Sequence, residues 1–395
     1  MSYSIKINYY DTFRCTADQC DFTCCQEWRI GVDEKTFQKW KGLKLNAGDG
    51  DEKNQQELIL CDCVEKEEAG QIIKLGKDKK CPFLNEKKLC KVVLELGEDH
   101  LSETCTTFPR QINTFEDRTE YSLDPGCPAV VDLLNQKLNA GQLLNDRPVE
   151  KEANSAQASS LLYLIREMIF TILEDETYLL TERMMMIFYA LLELLEEKHL
   201  TEEKINAYKN RKQLQPLADA IRKMKFNSVD SFFERNELFL DVVENYRKQK
   251  LYVDYLEAIA TRAEGLEETY SEDEIVEKLQ VFEEEFKNYE QLLKNYLVAE
   301  IFGNCLMPDM ELEDMVIAFQ WITLEYSVLK QAIFLKWLAE GEKAVTYQMV
   351  KCYVTVISRV TGYDQSDIKE YLENSFESIV WEWGYLALIV GNSTL

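Results

Sequence analysis

The spacing of apolar positions changes character near residue 145. Beyond it, nearly every segment repeats at the helical period. LLYLIREMIFTIL (161–173) and MMMIFYALLELL (184–195) are apolar over a broad face, as helices packed on a core are. Ser231 followed by Glu234, and Ser271 followed by Glu274, have the capping-box spacing, in which the serine accepts an orphan amide and the glutamate returns the bond. The second box opens EIVEKLQVFEEEFKNYEQLLKNYLVAEIF, which reads as one long amphipathic helix ending around Gly303 and Pro308. AFQWITLEYSVLKQAIFLKWLAE, QMVKCYVTVISRV and WEWGYLALIV extend the helical series, with no fixed period that would make it a solenoid. Met184–Met186 read as core packing, and the Glu283–Glu285 run as a solvated face.

Before residue 145 the pattern is mixed and its elements are short. RIGV (29–32) alternates weakly, and Asp33 caps a predicted helix carrying Phe37 and Trp40 on one face. LNAGDGDEKNQQ (45–56) reads as a loop and QIIKL (71–75) as a strand. CPFLNEKKLC (81–90) predicts two short arms around a polar turn, followed by a helix KVVLEL that stops near Gly97. QINTF and TEYSL flank Glu116-Asp117-Arg118 as a hairpin, and DPGCP (124–128) is a rigid turn that fixes Cys127. A Gly/Asn/Pro-containing linker near 139–149 separates the two regimes. The predicted fold class is mainly α: a small mixed cysteine-rich module over 1–145, followed by an all-helical region over 146–395.

Charge and composition narrow the function. A formal charge of −26 leaves no excess of Lys and Arg to neutralise phosphates, so a nucleic-acid or anionic-membrane binder is excluded and a cationic protein partner suits better. The first residues, MSYSIKINYY, lack the basic and then apolar pattern of a secretory signal. The longest apolar run, WEWGYLALIVG from Trp381, is too short to span a bilayer. These features predict a soluble cytoplasmic protein with no membrane insertion.

Ten of the twelve cysteines precede residue 130, four of them within CTADQCDFTCC (15–25). In a reducing compartment this points to metal rather than disulfides. With only His100 among them, a metal would be held mainly by thiolates, which select zinc, copper(I) or iron–sulfur clusters. Cys20 and Cys24 have a knuckle-like spacing, but Cys25 follows directly, and adjacent thiols cannot both ligate one tetrahedral ion without strain. Cys81, Cys90, Cys105 and Cys127 are far enough apart that the fold must assemble them. A radical C-x3-C-x2-C motif is incomplete, because position 27 is Glu, and no Gly-rich nucleotide fingerprint, P-loop or Ser/His/Asp set is present.

CTADQCDFTCCQEWRIGVD, CPFLNEKKLC, LGEDHLSETCTTFPR and SLDPGCP, in that order, resemble the flagellin lysine N-methylase (FliB-type) family, whose cysteine cluster is like that of small zinc- or iron-chelating domains. The resemblance covers about 115 residues. It implies methyl transfer from S-adenosylmethionine to lysine side chains of flagellin, in the cytoplasm before export. It also implies a cluster of the [4Fe–4S] type, with zinc as the alternative, on a set drawn from Cys15, Cys20, Cys24, Cys25, Cys81, Cys90, Cys105 and Cys127. Cys61 and Cys63 fall outside the matched pattern. Trp28, Asp33, Phe108, Pro109 and Arg110 are expected to brace or neutralise the cluster. Tyr9, Tyr10, Tyr121 and Asp124 are candidate groups for the substrate lysine. Two rivals remain open at this level: a metal-stapled, non-enzymatic adaptor for a basic protein, and a radical or redox enzyme that uses the cluster chemically.

Overall fold

The computed structural model describes residues 3–46, 57–67, 70–136, 144–145, 157–224, 227–361 and 365–391, and the protein is mainly helical. Its frame is the helix Leu312–Ala339, buried without interruption from Met315 to Leu335. A helix that is apolar all round has to be enclosed. Here the helices Leu180–Leu195, Ser228–Gln249, Val253–Glu264, Glu290–Asn304, Tyr347–Thr361 and Trp383–Val390 enclose it. No helix of the described residues is long and apolar enough to cross a membrane.

The Ser271 capping box forms as expected, with the Ser271 amide donating to Glu274 at 2.8 Å. Ser231 does not cap. Its helix starts three residues earlier, with Asn227 accepting from the Val229 amide at 3.0 Å. Ser231 instead lies inside the helix, buried, and its hydroxyl donates to the Leu388 carbonyl at 2.5 Å. The long helix expected from Glu274 to Gly303 is two helices, Glu272–Phe286 and Glu290–Asn304, joined by a tight turn at Lys287–Tyr289. Only the second is buried nearly all round, so the chain redirects where an amphipathic pattern becomes an all-apolar one. Glu283 is also more than a solvated charge, since it pairs with the buried Lys330 at 2.6 Å.

A four-stranded sheet runs in the order Arg110–Thr114, Arg118–Leu123, Tyr3–Ile7, Leu144–Asn145. The predicted hairpin supplies the first two strands. The Tyr3–Ile7 strand was not legible, and it lies parallel to Arg118–Leu123, with Ile5 opposite Glu120. Parallel neighbours need a long crossover. In this protein the crossover is the whole cysteine-bearing stretch between them. That stretch holds two small antiparallel ribbons, Lys44–Asn46 with Glu57–Ile59 and Val64–Glu67 with Gly70–Ile73. It has its own small core around Ile30, Trp40, Leu60, Phe83 and Val92. Asp33 caps the helix Glu34–Trp40 as predicted, and Gly97 ends the helix Lys91–Leu96 at φ 90°. Most of the 45–56 loop and of the 139–149 linker lies outside the described residues.

The sheet is fastened to the helices by buried charge. Arg166 (1% exposed) takes both oxygens of Glu120, at 2.6 and 2.7 Å, and Glu120 also accepts from Arg118 at 2.6 Å. These two cations hold the Glu120 carboxyl below its ordinary range despite burial. Gly303 lets the Glu290–Asn304 helix touch the sheet, since a Cβ there would meet Gln111 Oε1 at 2.5 Å. Arg359, on the Tyr347–Thr361 helix, reaches across to the cysteine loops. Its guanidinium donates to the carbonyls of Gly126, Phe22 and Thr23 at 2.7, 3.0 and 3.2 Å.

Two stability predictions follow from these contacts. Glu120→Ala should lower unfolding free energy by ~3–5 kcal/mol, because it leaves the buried Arg166 without an ion pair and Arg118 with Asp117 alone. Arg359→Met should lower it by ~3 kcal/mol through lost charge-assisted hydrogen bonds. Guanidinium unfolding of the purified variants checks both. A loss below ~1 kcal/mol in either would show that the contact is dispensable.

Candidate metal centre

The Arg359 fork fixes where the thiols stand. Phe22 and Thr23 directly precede Cys24 and Cys25, and Gly126 directly precedes Cys127, so one side chain sets the height of two loops that are a hundred residues apart. The DPGCP turn is closed by the Gly126 amide donating to Asp124 at 2.7 Å, which leaves Cys127 at the start of the helix Pro128–Leu134. Cys90 likewise begins the helix Lys91–Leu96. The two arms of CPFLNEKKLC meet through a Leu84–Cys90 bridge, and the Cys81 amide donates to the Cys25 carbonyl at 2.8 Å. Ser102 caps the Cys105 helix, accepting from the Cys105 amide at 3.2 Å. The same helix is tied to Asp33, which accepts from the Glu103 amide at 2.9 Å.

These loops enclose one cavity of about 480 Å3, on which Cys15, Cys20, Cys24, Cys25, Cys90, Cys105 and Cys127 all border. Cys81 stands behind this wall in the small core, electrostatically coupled to Cys25, Cys90 and Cys105. Cys61 and Cys63 lie off the cavity, in a turn whose Cys61 thiol faces the Phe37 carbonyl at 3.8 Å. Cys305 is sealed among the helices and Cys352 is half-buried, both away from it. His100 does not border it either; its carbonyl accepts from the Trp40 indole at 2.8 Å.

Among the described residues, no three His, Cys, Asp or Glu side chains converge as they stand on a point that a single ion would occupy. The thiols ring an open space instead of a point. Burial pushes Cys105 up to about 11 and Cys127 up to about 12, and it raises Cys20, Cys81 and Cys90 as well. Cys24 departs from this trend. The hydrogen bond from Cys25 brings it down to about 7, and the same bond drives Cys25 upward. Without a metal most of these thiols keep their protons at neutral pH, so loading a metal must release protons. The wall supplies the countercharge: Arg359, Arg110 and Lys88 all border the cavity.

The expected bracing residues sort by contact. Trp28 and Phe108 pack edge to face at 4.2 Å on the cavity wall. Arg359 lies 4.6 Å from the Phe22 ring and Arg110 lies 5.2 Å from the Phe13 ring. Asp33 braces through backbone amides and does not neutralise. Tyr10 and Tyr121 pair at 5.4 Å beneath Lys6, and the buried Tyr9 hydroxyl has no hydrogen-bond partner among the described residues; none of the three lines the thiol cavity.

Two further cavities continue from the first. A cleft of about 500 Å3 shares Trp28, Thr104, Phe108, Pro109 and Arg110 with the thiol cavity. It shares Gln111 and Asp124 with a third cavity of about 320 Å3, which is lined by Glu300 and Glu325. Of the site residues the sequence had flagged, Asp124 belongs to this acidic end. Glu300 and Glu325 were missed, although a carboxylate in the middle of NYLVAEIF or ITLEY was a visible signal, since such residues are rarely buried unpaired.

The family model described as the FliB lysine N-methylase C-terminal domain matches residues 166–389. Lysine-N-methylases of Salmonella choleraesuis (strain SC-B67) and Salmonella typhimurium (strain LT2) are 29% and 28% identical over 144 residues, which is 36% of this chain and 35% of each relative. The flagellar biosynthetic protein FliU of Salmonella muenchen is 33% identical over 122 residues, 30% of this chain and 68% of FliU. The match thus spans about a third of the length of the two methylases. No solved structure matches the chain. The family model covers more than half of the sequence, and the chain belongs to the FliB lysine N-methylase family.

Proposed function

We propose that this protein transfers methyl groups from S-adenosylmethionine to lysine side chains of a flagellar protein, flagellin, in the cytoplasm. We further propose that its first 145 residues act as a module holding a [4Fe–4S] cluster. The similarity to lysine-N-methylases supports the methyl transfer, and that to FliU supports a flagellar substrate. The observation that carries the site assignment is that three neighbouring cavities, thiol-lined, then mixed, then acidic, share wall residues in sequence.

The donor set fits the cluster. Seven thiols border one space without converging on a single point, and a [4Fe–4S] centre takes four cysteines at the corners of a body larger than one ion. Those four come from Cys15, Cys20, Cys24, Cys25, Cys90, Cys105 and Cys127; zinc is the alternative occupant. When bound, the cluster supplies a rigid anchor for loops that have little core of their own. The middle cleft, between the thiols and the carboxylates, has the volume of an ordinary cofactor pocket and is where we place the methyl donor.

The test is anaerobic purification with iron, sulfide and zinc assays, followed by incubation with S-adenosylmethionine and purified flagellin. The expected result is a brown protein with about four irons and four sulfides, N-methyllysine on flagellin, and S-adenosylhomocysteine as co-product. Colourless protein with zinc alone after reconstitution overturns the cluster. 5′-Deoxyadenosine as the co-product overturns simple displacement, and no binding of S-adenosylmethionine leaves an adaptor.

A further inference from the structure

The geometry points to the acidic cavity as the pocket for the substrate's alkylammonium, with Glu325 and Glu300 as the groups that touch it. This rests on the methylase reading and assigns the acceptor end of that reaction. The cavity, about 320 Å3, lies between the Glu290–Asn304, Leu312–Ala339 and Tyr347–Thr361 helices, with Asp124, Glu300, Trp321, Glu325, Ser358 and Thr361 on its walls. Its outer side carries the part-exposed Asp314–Lys369 pair, closed at 2.7 Å.

Three carboxylates face inward, and among the described residues none of them has an ion-pair partner. Glu300, 5% exposed, accepts from Asn304 at 2.6 Å. Glu325, 3% exposed, accepts from the Thr361 hydroxyl and, at 3.4 Å, from Tyr296. Asp124 accepts only the Gly126 amide. Lys369 is already engaged by Asp314. Buried, unpaired carboxylates are unfavourable; Arg359 acts on Asp124 only without a direct ion pair, and Glu300 and Glu325 have no cation bonded to them. A second, separate observation points the same way. Ser358 Oγ lines the cavity, is buried, and has no hydrogen-bond partner at ordinary distance; its looser approach to the Tyr296 hydroxyl only favours the phenolate. That leaves an acceptor free for an N–H donor.

The chemistry selects the kind of cation. Anions are repelled by the carboxylates. Trp321 is held by its indole N–H on the Thr361 carbonyl at 3.0 Å, which fixes an aromatic wall of the type that attracts ammonium and methylammonium groups. Burial and neighbouring carboxylates push Glu325 up to about 8 and Glu300 well above the usual range. A carboxylate so raised is matched to deprotonating a lysine. The step balances as follows. The ε-ammonium gives a proton to the Glu325 carboxylate, leaving a neutral amine and a carboxylic acid. The amine lone pair forms the N–CH3 bond as the C–S bond of the sulfonium donor breaks. That bond's electron pair stays on sulfur, which leaves as a thioether, and the positive charge moves to the methylated nitrogen. The cavity shares Gln111 and Asp124 with the cleft assigned to the donor, so acceptor and donor meet at that boundary.

The experiment titrates n-butylammonium, a lysine side-chain mimic, calorimetrically into the metal-loaded protein and into E325Q and E300Q. It measures S-adenosylmethionine binding and flagellin methylation in parallel. Neutralising a buried, unpaired carboxylate does not threaten folding, and the melting curve and visible spectrum verify this. The expected result is binding by the wild type with buffer-dependent proton release. Each variant should bind n-butylammonium at least ~10-fold more weakly, about 1.4 kcal/mol, with the S-adenosylmethionine affinity unchanged. Glu325 faces Tyr296, Glu300, Asp124, Asp314 and Lys369, and Tyr9 lies beyond Glu300. Because Glu325 accepts only when ionised, kcat/KM of the wild type should fall as pH drops through about 8, and E325Q should lose that limb. Undiminished butylammonium binding by both variants, or loss of sulfonium binding instead, overturns the assignment. So does failure of the wild type to bind n-butylammonium. A wild type that binds the amine but methylates nothing overturns the methylase reading and leaves the ammonium pocket standing.

Discussion

The site depends on one guanidinium. Arg359 is 7% exposed and directs its donors to three backbone carbonyls, which come from two loops about a hundred residues apart in the chain. Main-chain acceptors set position more tightly than a side-chain partner would, because they leave no rotamer to adjust. A planar fork also holds its donors in fixed directions, which a rotatable lysine ammonium does not. The ring of Phe22 beneath it, at 4.6 Å, closes off water from one face. The helical region therefore reaches past the edge of the cysteine loops and ends inside them.

Two kinds of buried charge divide the interior between structure and chemistry. Around Glu120, two arginines match one carboxylate at hydrogen-bond distance, so the buried charges of that cluster are paired. Around Glu325 the acids outnumber the cations, and one hydroxyl is left over. Both clusters touch the Glu290–Asn304 helix, since Arg166 also donates to the Phe302 carbonyl at 3.3 Å while Glu300 lies two residues earlier. The paired cluster anchors that helix, and the unpaired one has an anchored wall from which to act.

Much of this was legible in the sequence, and the rest was hidden for definable reasons. Local rules worked where the partner is local: the Ser271 box, the Asp33 cap, the Gly97 stop and the DPGCP turn all depend on neighbours within a few residues. They failed for Ser231, where a cap-like motif was overridden by a tertiary acceptor, Leu388, at the far end of the chain. The Tyr3–Ile7 strand was invisible because its partner follows more than a hundred residues later. The cysteine set drew attention through spacing alone, but spacing says nothing of Arg359, whose contacts span more than 230 residues. The carboxylates at 300 and 325 were readable as polar breaks in apolar helices, yet only the fold shows that they face one another.

The parallel strand pair explains why a metal suits this fold. Inserting the whole cysteine segment as a crossover means that its two ends are pinned by Tyr3–Ile7 and Arg118–Leu123, while its middle has only a small core. Pinning the ends lowers the entropy lost when the loops close, so a modest number of further contacts suffices to order them. Thiols that burial keeps protonated contribute little cohesion by themselves. Once deprotonated on a metal, they link the Cys24, Cys90, Cys105 and Cys127 loops through bonds stronger than any contact between them. The arginine clamp and the strand pairing fix these loops through the protein's own contacts, so the metal we propose would complete an arrangement that the chain already sets.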